Sequence, residues 1–583
     1  MSAPFGPRMF VHSCHVRTKN PDGDAVVVKE YVWHPDGRVT PELRWIENPQ
    51  RRFFVTKKMY RTHSEKKEAE LLDRVESYSV PNHMLEVELF RQLEGYYPRR
   101  RPKLRELCDS PYVYGADIDI QTLIKAKYKE DFAKSGAAPV QVTTGFFDTE
   151  TSMHPGTLNQ LTIASITHEN KVYTAVLRRV FYKMLPNGTR VDGTVEDLAE
   201  FSRTILQPEI DRTFQLKGLR EQKHKNNFEF HYHIAESSAE LLQWIFSRQH
   251  ENRTDFVGVW NIDFDVGKVV LPTLKEAGIP AEDVLCPPEL PPRFRSVKYA
   301  RDEKQVDHFT KKWHWLHTTS YSQWYDAQCL YSNLRTVIGK EVSYALDYIL
   351  KRNGVGGKLY FKDLPDLDHL SGAEWHRKMQ TDYPYHYIVY NQWDVVSLQL
   401  MEWKNQDVAS MYLLSEMSSI AKYTRQTRKA ADQLYFAWLK RGRVLASAGT
   451  SMVGPYDHLI PKVGGAVLRP ERVDYSGMNA LREAPHIRTM IHIMVNDVDF
   501  TGMYPNTAMG CNVSKETKLS TVLGVNLPSA NDNQKQRAVE EVFSCMVSPH
   551  ENAVYIGRTF FGLPGYQQMG DLFEEELKKE MAA

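Results

Sequence analysis

Apolar and polar positions mark out three β-type runs near the middle of the chain, at residues 140–150, 158–168 and 171–177. Short polar breaks separate them, and the pattern predicts a strand meander. Residues 237–249 place Leu241, Leu242, Ile245 and Phe246 at the helical period; 256–260 reads as a strand and 385–403 as a second helix. Strands alternating with helices predict an α/β layer. Two stretches, 185–235 and 284–325, interrupt it as excursions, and the Pro-rich run 286–292 marks a loop in the second.

The flanks differ. Residues 1–140 mix short β-type runs such as 25–32 with a helical stretch at 66–74 and a basic cluster at 99–105. Pro98 and Pro102 make that cluster a loop, which reads either as a solvated surface or as a nucleic-acid contact. After Asp407, helical segments lead to a break at Gly454 and Pro455, where a strand-rich piece begins and runs past Pro505. At 571–581, Phe573 and Leu577 lie one helical turn apart, with Glu574/Lys578 and Glu575/Lys579 as supporting pairs and no Gly or Pro stop signal.

Length and composition narrow the class. The chain has 583 residues, room for about four domains at the usual domain size. Lys plus Arg number 74 and Asp plus Glu 73, so the net charge of +1 requires any nucleic-acid surface to be local. With 42% hydrophobic and 25% charged residues, the composition excludes disordered and fibrous classes. Cys14, Cys108, Cys286, Cys329, Cys511 and Cys545 form no CxxC pair, which predicts a reducing cytoplasm. The first ten residues lack the pattern of a signal peptide, and no apolar stretch approaches the roughly 20 residues of a membrane span, so secretion and membrane insertion are not expected.

Three acidic elements carry candidate chemistry. On a strand, Asp148 and Glu150 leave the same face, about 7 Å apart along it. Such crowding suits a hard divalent cation such as Mg²⁺ or Mn²⁺, although the pair alone also fits an ordinary solvated strand end. The run 258–266 passes from an apolar strand into a polar turn holding Asn261, Asp263 and Asp265; Asp265 is either a site residue or the N-cap of a following helix that Pro272 bends or shortens. In 390–394 the spacing puts Tyr390 and Asp394 on one helix face. His231 with His233, and His314 with His317, have strand and helix spacings that zinc tolerates, but without Cys or acidic company they read as ordinary histidines.

In combination, Phe147-Asp148-Thr149-Glu150, the run from Trp260 to Asp265, and Tyr390 with Asp394 resemble the three motifs of DEDD-type 3′–5′ exonucleases. Residues 325–331 and 343–348 look like the spacer of family B replicative DNA polymerases of tailed bacteriophages; 462–467 resembles the segment before the palm strand, and 499–505 resembles polymerase motif A. Gly502 and Met503 stand where that family has Ser-Leu, and Asn506 where it has Ser. The second exonuclease motif is one residue short, which keeps Asp263 open as a ligand beside the preferred Asp265.

The resemblance implies an α/β and α+β multidomain fold: a mixed β-rich N-terminal domain at 1–140, a ribonuclease H-like exonuclease domain at 141–406, a helical connector returning to the N-terminal domain at 407–455, a partial palm at 456–560 and the start of the fingers at 561–583. It implies two Mg²⁺ (or Mn²⁺) ions per active site, with Asp148, Glu150, Asp265 and Asp394 as exonuclease ligands and Tyr390 positioning the attacking water. In the palm, Asp497 and Asp499 share a strand face; the resemblance selects Asp499 as the metal ligand and Tyr504 as the residue beneath the incoming sugar.

One palm carboxylate cannot hold both polymerase metals, and no Asp-x-Asp pair or Asn-x-x-Tyr-Gly segment follows Pro505. The expected function is therefore the proofreading exonuclease and partial palm of a split polymerase in the host cytoplasm. Its partners would be primer-template DNA, single-stranded 3′ ends and a second chain carrying the remaining palm, fingers and thumb; a sliding clamp stays open. The competing readings are a non-catalytic DNA-binding scaffold and a stand-alone exonuclease.

Overall fold

Arg8–Arg17 (β1), Asp24–Trp33 (β2) and Val39–Glu47 (β3) form an antiparallel sheet in the order β1-β2-β3; the central β2 is buried along almost its whole length and so is covered on both faces, while β3 at the edge is half-exposed. The computed structural model describes residues 6–449, apart from 18–22, 64–65, 186–187, 304–305, 307, 337–338, 368 and 371. Asp497, Asp499 and Tyr504, the partial palm at 456–560, the segment 561–583 and the helix at 571–581 lie outside the described residues.

Gln50–Thr56 (β4) pairs on one side with Val75–Pro81 and on the other with Val113–Tyr114. Between them, Ala69–Leu71 (β5) corrects the helix expected at 66–74. It pairs antiparallel with Arg443–Leu445, and only a single 3₁₀ turn, Leu72–Arg74, follows. A strand partner some 370 positions away outweighs the local helical pattern. Val75–Pro81 is β6 and Val113–Tyr114 β7. Leu85–Glu94 (α1), Leu104–Leu107 (α2) and Ile120–Ser135 (α3) complete this part.

The meander forms as expected. Thr144–Thr151 (β8), Leu161–His168 (β9) and Lys171–Leu177 (β10) pair antiparallel in sequence. The excursion 185–235 needs correcting: after the hairpin Tyr182–Met184 (β11) and Arg190–Asp192 (β12) and the helix Val195–Thr213 (α4), it ends in Glu229–Ala235 (β13), which joins the same sheet parallel to β10. Ser238–Asn252 (α5), capped by Ser237, leads to Phe256–Val259 (β14), parallel to β8. The second excursion holds the hairpin Val297–Ala300 (β15) and Trp315–Thr318 (β16). It is followed by Gln323–Asp326 (β17), parallel to β14. His317 therefore lies on a strand, not a helix, because its segment pairs across the hairpin.

The result is a mixed six-stranded sheet, ordered β13-β10-β9-β8-β14-β17, in a mixed α/β protein. Gly258 in β14 permits the close packing, since a Cβ there would fall 2.6 Å from Tyr325 Oη. The helix Pro384–Asn405 lies across β8 and β9, with residues 387–403 buried throughout. A helix covered on every side belongs inside a large core, and its polar side chains must then find partners there. Beyond it come Asp407–Leu414 and Gln426–Lys440, and then Arg443–Leu445 (β18), the strand that pairs with β5. Among the described residues no helix is long and apolar enough to cross a membrane.

Candidate metal centre

Strand β8 supplies the first two acids. Asp148 stands opposite Ser165 and Glu150 opposite Ile163, and the β8–β9 register shifts immediately after Glu150. The pleat sends both carboxylates toward the buried helix, while Thr149 points to the other face. From that helix comes Asp394. Single ligand oxygens of Asp148, Glu150 and Asp394 lie within 4.8 Å of one another; Glu150 and Asp394 are buried and Asp148 is half-buried. Among the described residues, this is the group of acidic, His or Cys side chains able to hold a metal ion, and no histidine belongs to it.

Asp265 borders the group without joining it. It sits in the π-helical segment Asp263–Val270, and Thr149 Oγ1 donates to its Oδ1 at 2.5 Å. That bond holds its carboxylate against β8 at the edge of the cluster, where its charge still acts on Asp148. It does not cap the helix as expected of an N-cap; the Asn261 side chain accepts from Phe264 N at 3.3 Å instead. Asp263 turns away from the cluster, bonded to Tyr299 Oη at 2.9 Å and Arg301 at 3.1 Å, with Lys268 at 3.6 Å. Asp265, not Asp263, therefore lies beside the other acids.

Sequence reasoning missed the groups that hold these carboxylates. Asn391 Nδ2 donates to Asp148 Oδ2 at 2.7 Å, and the Tyr387 hydroxyl donates to Glu150 Oε2. Gln380 Nε2 in turn donates to Tyr387 Oη at 3.3 Å and to Thr151 O at 2.8 Å, which ties down the end of β8. Tyr387, Asn391 and Asp394 share one helix face at i, i+4 and i+7, so the spacing that marked Tyr390 and Asp394 also marks them. Lys358 carried no such signal. It arrives from the loop after Gly356 and Gly357, with its Nζ 2.5 Å from Asp394 Oδ2 and 2.8 Å from Tyr390 Oη.

Electrostatics follow from this crowding. Burial, then repulsion from Asp265, Asp394 and Glu150, pushes the Asp148 carboxyl well above its ordinary range. Burial raises Glu150 to about 8 against the pull of Lys358 and Tyr387, raises Asp265 to about 7 against the Thr149 bonds, and lifts Asp394 despite Lys358. Burial opposes the Lys358 charge, but Asp394 and its neighbours overcome it and hold the ammonium well above its ordinary value. Tyr390 is raised as well, first by burial and then by Asp394, so it keeps its proton.

Among the described residues one ammonium faces four carboxylates, and Asp394 Oδ1 is buried without a hydrogen-bond partner. A hard divalent cation fits that donor set: all-oxygen, anionic and short of positive charge. Beside Lys358 and Tyr390 opens a cleft of about 390 Å³, lined also by Tyr360, Lys362, Trp375 and His376. No protein-family model matches the chain, and no curated protein matches it.

Proposed function

We propose that this chain is a Mg²⁺- or Mn²⁺-dependent 3′–5′ exonuclease, the proofreading part of a bacteriophage family B DNA polymerase. In this reading a second chain completes the polymerase, and Asp499 and Tyr504 belong to its shared palm. The carrying observation is the meeting of Asp148, Glu150 and Asp394 within 4.8 Å, with Asp265 beside them, from a strand, a π-helical turn and a helix far apart in sequence. The meander β10-β9-β8, continued by β14 and β17 parallel to β8, supports a ribonuclease H-like domain.

Asp148, Glu150 and Asp394 would hold the metal, with Asp265 as the remaining ligand of a two-ion site. When bound, such ions activate water and stabilise charge on a departing oxygen. The chain's own groups do the rest. Asn391 and Tyr387 fix the orientation of Asp148 and Glu150, so their oxygens need no rearrangement during the reaction. Tyr390 accepts from Lys358, which leaves its own O–H free to orient the attacking water. The cleft, with the exposed Tyr360 ring as a stacking face and Lys358 and Lys362 as cations, suits the terminal nucleotide of a frayed 3′ end. The product is a nucleoside 5′-monophosphate.

The test is a 5′-labelled single strand incubated with the purified chain and Mg²⁺. Stepwise shortening from the 3′ end, abolished by Asp148→Ala in a protein that still melts cooperatively, is the expected result. An intact strand would leave a DNA-binding scaffold as the better reading.

A further inference from the structure

The basic loop after α1 is solvent-facing. Residues 95–105 hold five cations, Arg99, Arg100, Arg101, Lys103 and Arg105, and no acid. Two of them are paired: Arg101 with Glu86 at 2.7 Å and Lys103 with Glu106 at 2.9 Å. Arg99, Arg100 and Arg105 have no hydrogen-bonded or ion-pair partner among the described residues. A merely solvated surface usually interleaves both signs of charge; this one leaves three guanidinium groups uncompensated.

Ahead of these cations stand two exposed rings. Gly95, at φ 86°, turns the chain out of α1, and Tyr96 and Tyr97 follow, each 60% exposed. Neither ring is loose. Tyr96 rests edge-on against Phe90, with centroids 5.4 Å apart, and the Arg91 guanidinium lies 5.4 Å from the Tyr97 centroid. Pro98 and Pro102 stiffen the backbone of the loop beyond, which lowers the backbone entropy to be lost on binding.

A second segment repeats the composition next to the first. The turn Lys58–Tyr60 exposes Met59 at 74% and Tyr60 at 37%, with the Arg74 guanidinium 5.5 Å from the Tyr60 ring centroid. Arg61 Nη2, at the end of this turn, bonds Gln92 O in the last turn of α1 at 3.4 Å, which joins the two segments into one surface.

We propose that this surface, on elements separate from the acidic cluster, binds a single-stranded polynucleotide. Phosphates match Arg99, Arg100, Arg105 and Lys58, and bases match the open faces of Tyr96, Tyr97 and Tyr60. An acidic peptide would satisfy the cations but lacks the regular alternation of anion and flat ring that this surface matches, and a duplex hides its base faces. The ligand chemistry is shared by DNA and RNA, so both are probes.

The experiment measures anisotropy of labelled dT20 and rU20 with the full chain in EDTA, where binding is read whether or not the chain is a nuclease. Arg99→Glu/Arg100→Glu should weaken binding of at least one probe by about tenfold or more and lower the salt slope by about 1–2. Tyr96→Ala/Tyr97→Ala should weaken it by about fivefold or more at an unchanged salt slope. Lys127→Glu/Lys134→Glu, an equal charge reversal on α3, should leave it within about twofold. The proposal fails if the wild type binds neither probe, if both patch variants bind like wild type, if the α3 control weakens binding equally, or if a 20-base-pair duplex binds as tightly as the single strands.

Discussion

Asn391 on the buried helix donates to Asp148 on β8, an amide-to-carboxylate bond of 2.7 Å between residues 243 positions apart. The bond aims one lone pair of Asp148 and leaves its other oxygen for the cluster. We expect Asn391→Leu to reduce mononucleotide release by about 10–100-fold, the usual loss when a ligand's supporting bond is removed. Raised Mg²⁺ should recover part of it. Activity within twofold of wild type would show that Asp148 needs no such support.

Among the described residues Lys358 is the ammonium paired with the cluster, and Asp394 has one oxygen on it and one without a hydrogen-bond partner. Lys358→Met leaves the acids uncompensated in a buried setting, where an unpaired charge is costly. Without metal, its melting temperature should fall by about 2 °C or more, and the rise on adding Mg²⁺ should exceed that of the wild type. Equal metal-free melting temperatures would show that Lys358 contributes no net stabilisation to the acids.

Much of the centre can be read in the sequence because its acids follow simple periods. Asp148 and Glu150 obey the alternation of a strand, and Tyr390 and Asp394 the spacing of a helix. Tyr387 and Asn391 share that helical spacing but carry no charge, so among the many polar side chains of the buried helix nothing in the sequence singled them out as partners of the acids. Lys358 comes from a glycine-rich loop, where no period operates. Strands β13 and β17 were obscured differently: one is polar and lies at the sheet edge, the other is four residues long, and parallel pairing to distant segments recruits both. The pairing of β5 with β18 is a long-range contact of the same kind.

Glu150 and Asp265 make stability depend on pH in a definite direction. Burial lifts Glu150 from 4.5 to about 8 and Asp265 from 3.8 to about 7. The folded state therefore holds protons that the unfolded chain has released across this window, and metal-free stability falls as pH rises from about 4 to about 8. Mg²⁺ replaces those protons, so its stabilising effect should be larger at pH 8 than at pH 5.5. Thermal melts in EDTA and in Mg²⁺ across that range check this, and Glu150→Gln should flatten the EDTA curve. A metal-free melting temperature that climbs with pH would contradict it.

Asp263 and Asp265 give the sharpest separation of roles, since two acids two positions apart face different partners. Asp263 is occupied by Tyr299 and Arg301, whereas Asp265 is held by Thr149 next to Asp148. Asp265→Asn should lower mononucleotide release by at least about a hundredfold, while Asp263→Asn should stay within about threefold and lose only surface ion pairing. Thr149→Val should fall between them, because the carboxylate remains but its orientation is freed. Rates for the three variants under saturating Mg²⁺ decide the matter: a larger loss at Asp263 than at Asp265 would mean that the π-helical turn re-registers when metal and strand are bound.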